Sequence, residues 1–246
     1  MGGMRRICAS IACCLAAFAA TPALAGTVTV VEWEEWVEEA PAVGGGYLVS
    51  GIPLEDVAGI ATYGPFRVID QSHAALVGIT DHRSPAQFAA LLRDYPHIAT
   101  LEMVECPGTF DDLANLKLGR MIRGAGIATH VPGNGSVRSG AVELFLAGAA
   151  RRIDDGARFA VHAWEDDSGL EATDYAAAAP ENRKYLDYYR EMGMSAQRAQ
   201  AFYAMTNSVP FEQARWLSAE EMRGWVAPDA PATAQLAYLD LGVPLN

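Results

Sequence analysis

Residues 136–163 read SVRSGAVELFLAGAARRIDDGARFAVHA. The apolar run from Ser139 to about Ala150 has the length and spacing of a helix, Asp154-Asp155-Gly156 forms a turn, and Arg158 to Ala163 reads as a short buried strand. The same alternation extends upstream. Ile127 to Val131 is a strand followed by the loop Pro132-Gly133-Asn134-Gly135, and Ile98 to Glu105 is another, ending at Pro107-Gly108. Between them, Asp111 or Asp112 caps a helix that runs to about Arg123, with Leu113, Leu116, Leu118 and Ile122 as apolar positions and Gly124 or Gly126 as its stop. Earlier still, strands are expected at Phe66 to Asp70 and Ala74 to Ile79, and a helix at Pro85 to Asp94 capped by Ser84. Strands alternating with helices at these distances give a right-handed α/β arrangement with a mainly parallel sheet. Downstream, helices are expected at Asn182 to Met192, Ala196 to Thr206 and Ser218 to Trp225, with a strand at Leu236 to Leu241 in an Ala/Pro-rich tail.

The rest of the 246-residue chain frames this region. Arg5 and Arg6, an apolar run of 14 residues from Ile7 to Ala20, and Ala23-Leu24-Ala25 form the three parts of a secretory signal, with cleavage expected after Ala25. That run is too short to span a bilayer, so no stable membrane insertion is expected, and the export signal places the protein in the periplasm or outside the cell. The division is then 1–25 signal peptide, 26–64 N-terminal extension, 65–226 α/β domain and 227–246 tail. Loss of the signal takes the formal charge from −12 to −14, which argues against nucleic acid and anionic lipid as partners. Only Cys106 survives cleavage, so no internal disulfide can form, and its apolar strand marks it as a buried side chain. The five histidines are scattered without metal-ligand spacing, and neither a metal nor a cofactor is expected.

Acyl transfer needs a nucleophilic hydroxyl, a base and backbone N–H groups aimed at a developing oxyanion. Ser139 follows a glycine-rich loop at a helix start, where backbone donors are unpaired, and Gly140 beside it permits close approach of a ligand. His162 ends a strand 23 residues later, with one helix and one turn between, a connection that returns a strand end to a helix start. Taken singly, each has a plainer reading: a serine at a helix start is an N-cap, a histidine at a strand end is a surface group, and Pro-Gly is a turn.

Together they resemble the Clp protease proteolytic subunit family, within the crotonase-like superfamily, and in particular its exported bacterial branch. The match spans about Phe66 to Gly224. Leu101 to Glu105 followed by Cys106-Pro107-Gly108 looks like the family's strand ending in Ser-Pro-Gly-Gly. Ser139-Gly140-Ala141, with Gly148 nine residues on, is similar to its nucleophile helix, and Gly156 to His162 resembles the strand ending in its catalytic histidine. The resemblance implies a ClpP/crotonase-like spiral of repeated ββα units, Ser139 as nucleophile, His162 as general base, Gly108 and Gly140 as oxyanion donors, a peptide or ester substrate, and a homo-oligomer. Tyr185, Tyr188, Tyr189 and Met192 form a stripe suited either to that assembly or to the chain's own core.

Three departures stand against full activity. Thr109 replaces the family's second glycine, Arg138 replaces a small residue, and the segment Glu212 to Ala219 puts Ala214 where the family has its triad aspartate. Glu212, Asn207 and Asp166 remain as substitutes, with Asn207 preferred because it lies in the loop just before the aligned segment. The expected function is an exported serine hydrolase. The alternative is a catalytically inactive member acting in binding or assembly. A crotonase acting on coenzyme A thioesters is disfavoured, because nothing basic marks a nucleotide-phosphate site.

Overall fold

The computed structural model describes residues 57–227. The signal peptide, residues 26–56 and the tail strand expected at Leu236 to Leu241 lie outside the described residues. Within them the order is β1 (Ala61–Tyr63), β2 (Phe66–Val68), β3 (His73–Val77), α1 (Ser84–Asp94), β4 (Thr100–Cys106), α2 (Asp112–Gly124), β5 (Ala128–Val131), β6 (Ser136–Arg138), α3 (Ala141–Leu146), β7 (Arg151–Ile153), β8 (Arg158–Val161), α4 (Pro180–Glu191), α5 (Ala196–Thr206), β9 (Arg215–Ser218) and α6 (Ala219–Val226). The sheet begins inside the segment read as an extension, since β1 pairs with β2 through Tyr63 and Phe66.

The strands form one mixed sheet that forks at β4. The first half of β4, Thr100 to Glu102, pairs in parallel with Ala128 to His130 of β5, and β5 pairs with β7. Its second half, Glu105 and Cys106, pairs with Ser136 and Val137 of β6, and β6 pairs with β8. The loop between β5 and β6, closed by the Gly135 N–H on the Pro132 carbonyl at 2.7 Å, carries the chain from one branch to the other. The units β5–β6–α3 and β7–β8 repeat this step, which is the mainly parallel ββα spiral expected. Among the named strands, antiparallel pairing is confined to β1–β2, β2–β3 and β8–β9.

Several elements differ from expectation for physical reasons. The helix expected from Ser139 starts at Ala141, because β6 holds Ser136–Arg138 in the sheet. It ends at Leu146, after which the Ala149 N–H bonds to the Ile127 carbonyl at 2.9 Å and the chain turns into β7. Strands β6, β7 and β9 have three or four residues each, too few to show a period of two. On α2, capped by the Asp111 carboxylate on the Ala114 N–H, the inward face carries Asn115 with Leu116, Leu118 and Ile122, whereas Leu113 is 68% exposed. The aromatic stripe of α4 packs on the chain's own core, with Tyr185, Tyr188, Tyr189 and Met192 all buried. Cys106 is fully buried, as its strand implied, and burial pushes its thiol well up. No helix among the described residues is long and apolar enough to cross a membrane.

Gly148 makes the sharp exit from α3 possible. A Cβ there would lie 2.2 Å from the Thr129 hydroxyl oxygen, 2.7 Å from the Ala150 carbonyl oxygen and 2.8 Å from the Thr129 nitrogen, two of them backbone atoms. Gly148→Ala is therefore expected to lower stability by about 1–3 kcal/mol in urea denaturation. Gly224→Ala, whose Cβ would meet nothing within 4 Å on α6, should be neutral or stabilising by up to about 1 kcal/mol.

Candidate active site

Three neighbouring parallel strands, β4, β6 and β8, end on the same edge of the sheet, the edge where α/β folds bind ligands. Gly108 follows β4, Ser139 follows β6 and His162 follows β8. Ser139 has φ 50°, among the described residues the one non-glycine with positive φ, an unfavourable conformation for an L-residue held by its surroundings. Its N–H donates to the Ala160 carbonyl and its carbonyl accepts the Val142 N–H, both at 2.9 Å, so the residue sits on a tight strand-to-helix turn. Gly108 has φ +137°, and a Cβ on it would lie 3.0 Å from Ser139 Cβ and 3.4 Å from Ser139 Oγ. The backbone of Gly108 thus passes directly beside the serine side chain.

Two buried polar residues that sequence reasoning missed hold this arrangement. Thr80, just past β3, donates its N–H to the Gly108 carbonyl at 3.1 Å and its hydroxyl to Asn115 Oδ1 at 3.0 Å. The Asn115 amide donates to the Gly140 carbonyl at 2.5 Å. One chain of hydrogen bonds therefore fixes both glycines that flank Ser139 across the site. The signal was Asn115 itself, a polar residue within the apolar stretch of α2. Thr109 does not break the loop: the Phe110 N–H bonds to the Thr80 carbonyl at 2.9 Å, and the Thr109 hydroxyl caps the same turn. Arg138 points to β4, where it pairs with Glu105 Oε1 at 2.5 Å.

His162 packs edge-on against Phe211, with ring centroids 5.0 Å apart at 82°. Its Nδ1 lies 2.7 Å from the Ala163 carbonyl oxygen. A carbonyl only accepts, so Nδ1 carries the proton and Nε2 is left as the acceptor. The β8–β9 register ends at Val161 opposite Arg215, with His162 and Ala214 the next residues beyond that last pair, and the chain then leaves β9, the Ala163 N–H donating to the Val209 carbonyl at 2.9 Å. Asn207 caps α5 and lines the same cavity as Ser139 and His162, but its amide donates to the Tyr203 carbonyl and Thr206 hydroxyl. Its Oδ1 is buried without a partner. Asp166 is committed to its own turn, accepting from the Tyr175 hydroxyl and the Ser168 and Leu170 N–H groups.

The cavity beside Ser139 has a volume of about 640 Å³. Its wall includes Glu143, one turn after Ser139 and 8% exposed, whose Oε1 accepts the Tyr189 hydroxyl at 2.7 Å. Burial pushes the Glu143 carboxyl up to about 7, against the opposing pull of that hydrogen bond. Among the described residues no group of three or more His, Cys, Asp or Glu side chains has the arrangement to hold a metal ion.

No family model matches the chain, and no curated protein matches it. Among solved structures, a mutant of ClpP1 from Listeria monocytogenes is similar at 15% identity and a TM-score of 0.43, over 63% of this chain and 88% of that one. A mutant of the 1510-N membrane-bound stomatin-specific protease is similar at 14% identity and a TM-score of 0.42, over 63% of this chain and 74% of that one. Another mutant of that protease, in complex with a substrate peptide, gives 13% identity and a TM-score of 0.38, over 60% and 70% of the respective chains.

The raised Glu143 value has a consequence for stability. Between 4.5 and about 7 the unfolded chain has released this proton while the folded chain keeps it, so stability falls as pH rises across that window and levels off above it. The contribution is on the order of 3 kcal/mol. Urea denaturation at a series of pH values should show that fall in the wild type and its loss in Glu143→Gln.

Proposed function

We infer that the chain is an exported, peptidase-like serine hydrolase working through a Ser139–His162 dyad and a backbone oxyanion hole. The observation that carries this reading is the passage of the Gly108 backbone against the strained Ser139 at the carboxyl edge of the sheet, with His162 ending the adjacent strand. A peptide or ester carbonyl entering the cavity meets the Ser139 hydroxyl. His162 Nε2 takes the hydroxyl proton as Oγ attacks, and the oxyanion is held by the Gly108 and Gly140 N–H groups. The imidazolium then protonates the leaving group, and water, activated by the same nitrogen, releases the acyl product.

The Ala163 carbonyl takes over one part of the missing acid's work. It fixes the tautomer with Nε2 free, but a neutral dipole stabilises the imidazolium less than a carboxylate does. Slow turnover is the expected result. The same absence at Ala214 favours the second reading, a binding or assembly protein that keeps the fold without the chemistry. The export signal read in residues 1–25 supports a periplasmic or extracellular location for either protein, and the family likeness read from the sequence implies a homo-oligomer.

A fluorophosphonate probe separates the two readings. Covalent labelling, located at Ser139 by mass spectrometry and lost in Ser139→Ala, is the expected outcome for the hydrolase, and failure to label under conditions that modify other serine hydrolases would reject it. Ala214→Asp should raise the rate on an activated ester. His162 and Ala214 each follow the last β8–β9 pair, Val161 and Arg215, so the substitution introduces a carboxylate beside the end of the strand that carries the imidazole. Loss of that partner costs about 10⁴ in serine proteases, and recovery of about 10–10³ is expected because Phe211 and the Ala163 bond already constrain the ring. A folded variant with unchanged rate would show that His162 is not acting as a base.

A further inference from the structure

The cavity beside Ser139 has more acceptors than donors. Six carboxylates line it, Asp111, Asp112, Glu143, Glu165, Asp166 and Asp167, against one ammonium, Lys184. Asn207 Oδ1 adds a buried acceptor with no donor of its own. Glu143 is the deepest of the acids, and the Tyr189 hydroxyl occupies only one of its oxygens, which leaves capacity for further bonds. Asp112 is likewise engaged on one oxygen by the Tyr185 hydroxyl.

The aromatic part of the wall is also arranged for a cation. Trp164 and Tyr185 lie nearly parallel at 22°, as do Tyr185 and Tyr203 at 26°, with ring centroids 6.0 Å apart in both pairs. Trp164 Nε1–H donates to the Tyr203 hydroxyl at 2.6 Å, which fixes the set. Lys184 Nζ sits 5.3 Å from the Trp164 centroid and 5.0 Å from that of Tyr185, within cation–π range. The chain's own ammonium thus already occupies one face of the box. At the mouth, Phe110, Leu113 and Phe211 expose apolar surface, 74%, 68% and 41% exposed, suited to the methylene stem of a long side chain.

We propose that this cavity is a specificity pocket for a basic side chain, arginine or lysine, on the acyl side of the bond that Ser139 attacks, with Glu143 and Asp112 as its anionic floor. The proposal rests on the hydrolase reading for the word acyl, but not for the binding itself. A guanidinium offers five donors and no acceptor, the complement of a wall whose carboxylates outnumber its one ammonium and which holds the unfilled Asn207 Oδ1. An aliphatic side chain in the same place would leave those acceptors further desolvated and unpaired, which is where discrimination against it arises. Burial holds the Glu143 carboxyl near neutrality, and a guanidinium beside it would keep it ionised.

Two measurements on the full chain test this at pH 8. In the first, p-aminobenzamidine binding to Ser139→Ala is followed by fluorescence, with benzamide as the neutral competitor. Expected are displacement by benzamidine but not by benzamide, an affinity at least tenfold weaker after Glu143→Gln or Asp112→Asn, and a tighter complex after Lys184→Met, which removes the resident cation. In the second, kcat/KM is compared for fluorogenic peptides with arginine, lysine, leucine or glutamate before the scissile bond. A preference of at least tenfold for arginine or lysine over leucine, lost in Glu143→Gln, supports the pocket.

Hydrolysis with leucine preferred would overturn the proposal and leave the hydrolase reading intact. Charge-selective binding that depends on Glu143, without any turnover, would uphold the pocket and reject the hydrolase. Loss of Ser139 labelling in a folded Lys184→Met variant would overturn the pocket by making Lys184 part of the chemistry. Absence of charge-selective binding in the wild type and in Lys184→Met alike would reject it outright.

Discussion

The division of β4 between two partners is the constraint from which the site follows. A seven-residue strand that paired with one neighbour along its whole length would leave β6 and β8 without a place beside it. Because the pairing passes from β5 to β6 at Glu105, the ends of β4, β6 and β8 come level, and Gly108, Ser139 and His162 fall on one edge. The partly buried Arg138–Glu105 pair ties the two strands at that step. Such a pair gains little over apolar packing, but removing one partner would strand a charge between the strands that set the site.

The strain at Ser139 and the conformation of Gly108 are coupled through this edge. Ser139 is held at positive φ by hydrogen bonds to β8 and into α3, and its side chain then occupies the space where any residue but glycine at position 108 would put a Cβ. Thr80 and Asn115 tie the next peptide units along, so the two glycines do not move independently. The arrangement is preorganised by backbone, which suits electrostatic stabilisation of an oxyanion better than side chains that would have to reorient.

Much of this was legible in the sequence because it lay in long periodic segments or in a few spaced motifs. The grouping of Gly108, Ser139 and His162 rested on the family resemblance, whereas the strand–helix alternation and a cap at Asp111 or Asp112 could be read from residue type and spacing. Strands β6, β7 and β9 could not, since three or four residues carry no period and Arg151-Arg152-Ile153 reads as polar until burial of the Arg151 guanidinium against the Leu146 and Met192 carbonyls is known. On α2, Leu116, Leu118 and Ile122 of the apolar positions are buried but Leu113 is exposed, and Asn115 takes a buried position because its amide has two partners there. Glu143 did leave a signal, as a lone carboxylate in the apolar run AVELFL, but its role depends on Tyr189, 46 residues away and on another helix.

That distant contact links the chemistry of the site to its shape. Tyr188 donates to the Glu143 carbonyl and Tyr189 to its carboxylate, so α4 grips α3 at one residue through both backbone and side chain. The same helix supplies Lys184 and Tyr185 to the cavity wall. Burying a carboxyl costs stability at neutral pH, and an aliphatic residue at 143 would avoid that cost. What an aliphatic residue would lose is the side-chain half of the grip and the anionic floor of the cavity together. The position therefore carries a polar group where packing alone would favour an apolar one, and it does so where the wall that selects a ligand meets the turn that holds Ser139.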